Sequence, residues 1–324
     1  MLQYVIRRLL WSAVMMLLVV SLVFAIFFVL PGGAGRKGAG GYSFVAVSMG
    51  GRRPSPQQLE SITQRFGLDK PLYVQYGLYI SRAVRGDFGH SYQTNEPVTE
   101  AVLRRLPPTI GLATGASVIW LVVGVTIGII SALKRRTIWD RASMFFALVG
   151  VSMPTFWLGL MAVFYFDSNL GIYDTGTYEP ITQDPVGWFK VMWLPWLVLA
   201  FVSMAIYSRM VRGNVLEVQG EDYIRTARAK GLRERSVIRH QLRSALTPVV
   251  TMYGLDLGIL LGGAVITERI FNIPGIGAFA VQSIQSGNFP VILGVTLIAS
   301  LAVIAANLLV DIAYAFLDPR VKYS

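Results

Sequence analysis

Cysteine does not occur in the chain, which excludes disulfides and thiolate metal sites and leaves the redox compartment unspecified. Histidine occurs only twice, as His90 and His240, too few and too far apart for a zinc site. The P-loop pattern G-x-x-x-x-G-K-[ST] is missing, so the chain by itself has no usual means of binding ATP. No internal repeat of the kind found in ion-coupled carriers built from inverted halves stands out. The apolar runs hold no Ser/His or Asp pair that would mark a membrane-embedded hydrolase, and Asp256 alone does not make one. Charged residues are also scarce, at 15% against 54% hydrophobic, with a mean hydropathy of +0.54 over 324 residues. That balance is too apolar for a soluble domain of this length.

What is present is a set of long apolar runs. A bilayer-spanning helix needs roughly 20 mostly apolar residues, and six such runs occur at 9–30, 109–133, 142–166, 191–210, 249–267 and 290–316. The fold class is therefore an all-α polytopic membrane protein. A net charge of +11 would suit nucleic acid, but the basic residues lie where membrane topology places them. Arg7 and Arg8 precede the first run, Lys134, Arg135, Arg136 and Arg141 bracket the second connection, and nine Lys or Arg fall within 209–243. By the positive-inside rule these segments, and both termini, are cytoplasmic. The arginine-rich stretch 31–105 is outside, since loops longer than about 60 residues cross largely regardless of charge. The first run exceeds a signal-peptide core of about 7–15 residues and reads as a retained anchor.

One polar stretch between apolar runs is helical in pattern, EDYIRTARAKGLRERSVIRHQLRSALTP at 221–248. Glu221 and Asp222 place carboxylates in a first turn, where the backbone dipole favours negative charge. Ile224, Ala227, Arg228 and Gly231 recur at i, i+3, i+4 and i+7, a face of mostly small residues onto which another backbone or groove can close. Gly231 supplies a left-handed cap just past the helix end. A second helix follows, with Ile238, Leu242, Ala245 and Leu246 on one side and Arg235, Arg239 and Arg243 on another, expected along the membrane surface. On pattern alone this is equally an ordinary basic loop held inside by its charge.

Elsewhere, the glycine-rich stretch 32–51 reads as a mobile loop. Ser55-Pro56-Gln57-Gln58 is a capping box with proline at the first helical position, Gly67 closes that helix, and Pro71 opens another. In GVSMPTFWLGL at 150–160, Pro154 removes a helical hydrogen bond and predicts a kink. Asp256 in YGLDLGILLGG stands about 12 Å along the fifth run from Pro248, near mid-bilayer, where an aspartate costs roughly 2.5–3.5 kcal/mol. It either lines a water-filled cavity, which the small flanking Gly254 and Gly258 favour, or is a structural group set against a polar neighbour such as Asn307.

The 221–248 stretch resembles the cytoplasmic EAA loop of binding-protein-dependent ABC importer permeases, in the oligopeptide, dipeptide and nickel branch. The matching letters are Glu221, Asp222, Tyr223, Arg225, Thr226, Ala227, Ala229, Lys230, Gly231 and Leu232, then His240, Leu242, Arg243, Ala245 and Pro248. GLDKPLYVQY at 67–76, GDFGHS at 86–91 and PVTEAVLRRLPPTIGLA at 97–113 extend the likeness over nearly the whole chain.

The resemblance implies a type I importer permease fold: an N-terminal transmembrane anchor helix at 1–30, peripheral to the core; an extracytoplasmic segment at 31–107; a core at 108–316 with its coupling loop at 213–248; and a cytoplasmic tail at 317–324. It implies that Glu221 to Leu232 form the coupling helix that docks in a groove of the ATPase subunit. It implies an outer gate at 260–294, matched at Gly262, Gly263, Glu268, Phe271, Pro274, Gly275, Gly277, Pro290 and Gly294, and a translocation pathway that includes Pro154, Phe156 and Trp157, with Asp256 added from its depth. A packing kink is the alternative reading of Pro154.

The implied partners are a homologous second permease, two ATP-binding subunits, an extracytoplasmic solute-binding protein and membrane lipid, with no nucleic acid. The implied location is the bacterial or archaeal cell (inner) membrane. This chain would bind no cofactor, ATP and magnesium belonging to partner subunits, and would carry no enzymatic or metal site. The branch handles peptides, nickel chelates, glutathione and some sugars, with selectivity largely in the binding protein. An ion-coupled carrier working without ATPase subunits is the alternative. Two departures from the family pattern stand out: Leu30-Pro31-Gly32-Gly33-Ala34 where LPGDP is usual, and Gly287-Asn288 where an Arg-Asp pair often precedes the later proline. The PGIG at 274–277 is not a phosphate cradle, because no Lys with Ser or Thr follows it.

Overall fold

The computed structural model describes residues 2–30, 42–51, 54–91, 93–176 and 178–317, with 2–5, 44 and 310–317 described by backbone only. Among the described residues the chain is helical and has no strand. In chain order the helices are α1 (Leu2–Phe24, continued by a π-helical turn Ala25–Val29), α2 (Phe44–Gly50), α3 (Pro56–Phe66), α4 (Leu72–Arg85), α5 (Val98–Leu103) and α6 (Leu106–Leu133). They continue as α7 (Ile138–Ser152), α8 (Thr155–Val163), α9 (Pro185–Gln219), α10 (Asp222–Ala229), α11 (Glu234–Ala245), α12 (Thr247–Leu261), α13 (Val265–Ile270), α14 (Ile276–Ser286) and α15 (Phe289–Leu317). Four described helices are long and apolar enough to cross a membrane, or six spans if each of two bent pairs, at 138–169 and 234–261, is one.

Three sequence expectations are corrected. The third run does not merely kink: Met153 is extended, Pro154 caps α8, and the two halves meet at 95°. The fifth run ends at Leu261 rather than 267, because Gly263 takes φ +114 and Thr267 falls in the separate short helix α13. The loop read at 32–51 lies outside the described residues at 32–41, and within 42–51 it is a helix. Ser43 caps that helix through Ala46 N at 3.1 Å, and Val45, Ala46 and Met49 are buried on one side. The capping box is as read, with Gln58 N to Ser55 Oγ at 3.2 Å and Ser55 N to Gln58 Oε1 at 3.0 Å. Gly67 closes α3 at φ +61.

The described residues form two compact units, one drawn from 1–109, 261–265 and 274–308, the other from 110–260, 266–273 and 309–317. In the first unit the core joins Val20, Val23, Phe24 and Phe28 of the first span to Leu59, Tyr79, Leu293 and Leu297. Its aromatic rings interlock, Phe24 with Phe28, Tyr76 and Tyr79, and Phe27 with Phe289. A second cluster packs α5 on α14 and α15 through Val98, Ala101, Val102, Ile276 and Val291, with the Arg105 guanidinium 3.6 Å over the Phe279 ring.

In the second unit α6 lies close against α9. A Cβ on Gly128 would stand 2.6 Å from Ser208 O, and one on Gly124 3.1 Å from Met204 O, so this GxxxG pair lets the two backbones approach. Nearer the other end Trp196 covers Gly115 and donates its indole N–H to Gly111 O at 2.9 Å. Between α7 and α9, Gly150 meets Ala205. These small-residue seams suit an apolar solvent, where helices associate by packing rather than by a hydrophobic difference.

Candidate functional site

α10 and α11 form a compact two-helix element directly after α9. Glu221 is extended (ψ 143) and stands before the first turn, with Asp222 inside it. At the other end Gly231 takes φ +74, its N–H bonds Arg228 O at 2.9 Å, and Leu232 N bonds Ala227 O at 3.2 Å. This paired closure is what a left-handed glycine permits. Arg228 then holds the start of α11 through Glu234 at 2.8 Å.

Of the face of Ile224, Ala227 and Gly231 only the first two turn inward; Gly231 is exposed, with nothing within 4 Å of where a Cβ on it would stand. Ile224 is fully buried within the chain and Ala227 half-buried, while Glu221, Asp222, Tyr223, Arg225, Thr226, Ala229, Lys230 and Leu232 are exposed. An amphipathic octapeptide buries its one isoleucine on its own protein first. On α11 the buried residues are Val237, Gln241 and Ala245 rather than Ile238 and Leu242, and Arg235, Arg239 and Arg243 are exposed. Gln241 Nε2 donates to Val215 O at 2.8 Å, and Asn214 Nδ2 to Ala245 O at 3.1 Å, tying α11 to the end of α9.

Among the pathway residues, Pro154, Phe156 and Trp157 are exposed at the α7–α8 corner. Asp256 on α12 is half-buried, and the Tyr207 hydroxyl of α9 donates to its Oδ2 at 2.7 Å. The buried Trp120 ring packs against both Tyr207 and Tyr253, and the Tyr253 hydroxyl meets Ser117 Oγ at 3.1 Å. A polar cluster thus forms within otherwise apolar helices.

The residues expected at an outer gate divide between the units. In the second unit Glu268 and Phe271 are fully buried. Phe271 packs edge-on to Tyr173 at 5.9 Å and lies over Gly159, and Tyr173 donates to Val191 O at 2.9 Å. In the first unit Gly275 and Gly277 are buried and Pro274 exposed. Gly277 Cα would lie 2.9 Å from a Cβ on Gly263, and Ile276 N donates to Thr109 Oγ1 at 2.9 Å. Asn288 donates to Ser91 Oγ at 2.9 Å.

Residues 124–323 match the family described as binding-protein-dependent transport system inner membrane component, and residues 1–113 match the N-terminal part of such membrane components. The chain belongs to this family of transport permeases. The permease is 39% identical to the dipeptide transport system permease protein of Alkalihalophilus pseudofirmus, over 100% of both chains. It is 40% identical to the glutathione transport system permease protein of Escherichia coli K12, again over 100% of both. A putative peptide transport system permease protein of Brucella abortus is 38% identical over 98% of each. The permease is thus a multi-pass inner-membrane subunit of an ABC importer and not itself an enzyme.

Sequence reading missed two groups. Tyr207 gives no signal as the partner of Asp256, being 49 positions away. Arg212 reads as one more basic residue fixing topology, yet it pairs with the buried Asp140 across 72 positions. A carboxylate and a guanidinium two residues outside the ends of two apolar runs, 142–166 and 191–210, were the available clue.

Proposed function

We propose that the permease pairs with a homologous second permease, two ATP-binding subunits and an extracytoplasmic solute-binding protein to import peptides or a chemically related small solute. The observation that carries this reading is α10. It is a short helix anchored by Ile224 and closed by Gly231 that offers Tyr223, Arg225, Thr226, Ala229, Lys230 and Leu232 outward immediately after a long membrane helix. An exposed, rigidly capped helix fits a groove on another subunit as a preformed plug, with little ordering entropy to lose on docking. ATP and magnesium belong to the ATPase partners. The basic residues of 209–243 support a cytoplasmic position for this element and for both termini. The segment 268–277 then acts on the opposite side as the gate, and the α7–α8 corner with Asp256 lies along the pathway. The names of the relatives support peptides or glutathione as the solute class.

The test is co-expression of the permease with its partner permease and ATPase subunits. Ala229→Arg on the exposed face of α10 should strip the ATPase subunits from the purified complex while membrane insertion persists, and Ala229→Ser should not. Retention of the ATPases by the arginine variant, with normal hydrolysis stimulated by the binding protein, would sink the docking role.

A further inference from the structure

The final turns of α9 are held by two other parts of the second unit within four residues. On one side Asp140, 5% exposed at the start of α7, receives four donors. Arg212 Nε and Nη2 reach its two oxygens at 2.6 and 3.1 Å, Ser131 Oγ of α6 reaches Oδ1 at 2.7 Å, and Arg136 N of the α6–α7 turn reaches Oδ2 at 2.9 Å. On the other side Asn214 and Val215 bond α11 through Ala245 O and Gln241 Nε2. α9 then ends at Gln219, about 10 Å beyond Arg212 at 1.5 Å per residue, and α10 begins at Asp222.

Stability alone does not call for such a pair. Desolvating two charges offsets most of their attraction, and well-packed apolar residues of similar volume hold helices equally well. What a bidentate guanidinium adds is a fixed geometry. The rest of the α7–α9 seam is smooth, with Gly150 against Ala205 and Phe146 edge-on to Phe201 at 5.1 Å. Helices packed on such surfaces slide past one another by shear. The carboxylate held at both oxygens resists that sliding at one point, near the α10 end of α9.

We propose that Asp140 and Arg212 are a positioning pair. They make α7, and with it the corner at Pro154, move together with α9 when α10 is displaced, so that ATPase closure reaches the third span rather than being lost in helix slippage. The proposal rests on α10 being the ATPase-contacting helix, and it adds the residues through which that contact is passed on.

The experiment uses the complete transporter in proteoliposomes and reads solute transported per ATP hydrolysed for Asp140→Asn, Arg212→Gln, the double variant and Arg212→Lys. Asparagine and glutamine variants should assemble and keep basal hydrolysis within about twofold, while transport per ATP falls about tenfold, within the range of ordinary coupling energies. The double variant should be no worse than the poorer single one, since each residue acts through the other. Arg212→Lys, which keeps the charge and loses the fork, should fall between. If Asp140→Asn fails to assemble, the lysine variant gives the ratio instead. Three results overturn the proposal: an unchanged ratio, singles that multiply in the double, or transport and hydrolysis falling in proportion. Ala229→Arg decides the other reading separately. Loss of ATPase subunits there with an unchanged ratio in Asp140→Asn sinks the pair alone, and retained subunits there sink the docking role of α10 however Asp140 behaves.

Discussion

Asp256→Asn separates a pathway carboxylate from a structural one. In the wild type the Tyr207 hydroxyl donates to the carboxylate at 2.7 Å. A hydrogen bond to a charged group contributes about 1.5–3 kcal/mol and a neutral one about 0.5–1.5, so the amide, which still accepts from Tyr207, should cost the fold only about 1 kcal/mol. Assembly and basal ATP hydrolysis should survive. The charge acts differently on a passing solute. A cationic group about 4 Å away is attracted by about 4 kcal/mol at an effective dielectric of 20. If only a third of that outlasts desolvation, about 1.4 kcal/mol, the effect is tenfold. Uptake into proteoliposomes should therefore fall about tenfold for a lysine-containing dipeptide and change less than about threefold for its norleucine counterpart. Equal losses for both peptides, or a complex that does not assemble, would refute the pathway role and make Asp256 a packing group for Tyr207 and Trp120.

Gly128→Leu forces a side chain against Ser208 O, 2.6 Å from where its Cβ would lie. It should destabilise the detergent-solubilised permease by about 1–3 kcal/mol or more, read as a lower thermal unfolding midpoint. Gly213→Ala, where nothing lies within 4 Å of where a Cβ would stand, should leave the midpoint equal or higher, since alanine gains roughly 0.5–1 kcal/mol of stability over glycine in a helix. Phe271 is fully buried, so a cysteine placed there, in a chain that has none, should resist an impermeant maleimide at rest. It should react once ATP and loaded binding protein are added, and equal reactivity in both states would make the 268–277 segment a static wall.

What could be read from the sequence was local. The Ser55 capping box, the Gly231 cap and the disruption at Pro154 depend on residues within one or two turns, and each stands where its chemistry places it. The size of the disruption was not legible, because a proline fixes only the loss of one bond and the surrounding helices decide whether the result is a bend or a corner. The Phe44–Gly50 helix was hidden by the glycines around it. Which side of α10 faces outward was also illegible: Ile224 suits an internal and an external groove equally, and only the packing of its own chain decides. Asp140 with Arg212 and Tyr207 with Asp256 join residues on different helices, 72 and 49 positions apart, where no spacing rule operates.

The corner at Pro154 also bears on hydration. α7 has 15 residues, roughly 22 Å of helix, shorter than the roughly 30 Å apolar slab, so a 138–169 pair that crosses as one span turns inside that slab. A helix that stops and restarts there releases the carbonyls of one turn and the amides of the next. Proline has no amide to release, and Ser152 Oγ donates at 2.8 Å to Leu148 O, a carbonyl still within α7. The remaining backbone groups of such a corner cost several kcal/mol each in hydrocarbon unless something polar meets them. In a pair that crosses as one span, water or a polar protein surface therefore has to reach this depth, whatever side chains stand around it. On that account the wetness of the corner is a property of the main chain. On the proposed pathway role, exchanging Phe156 or Trp157 for other apolar residues should change the shape of what passes rather than whether solvent is there.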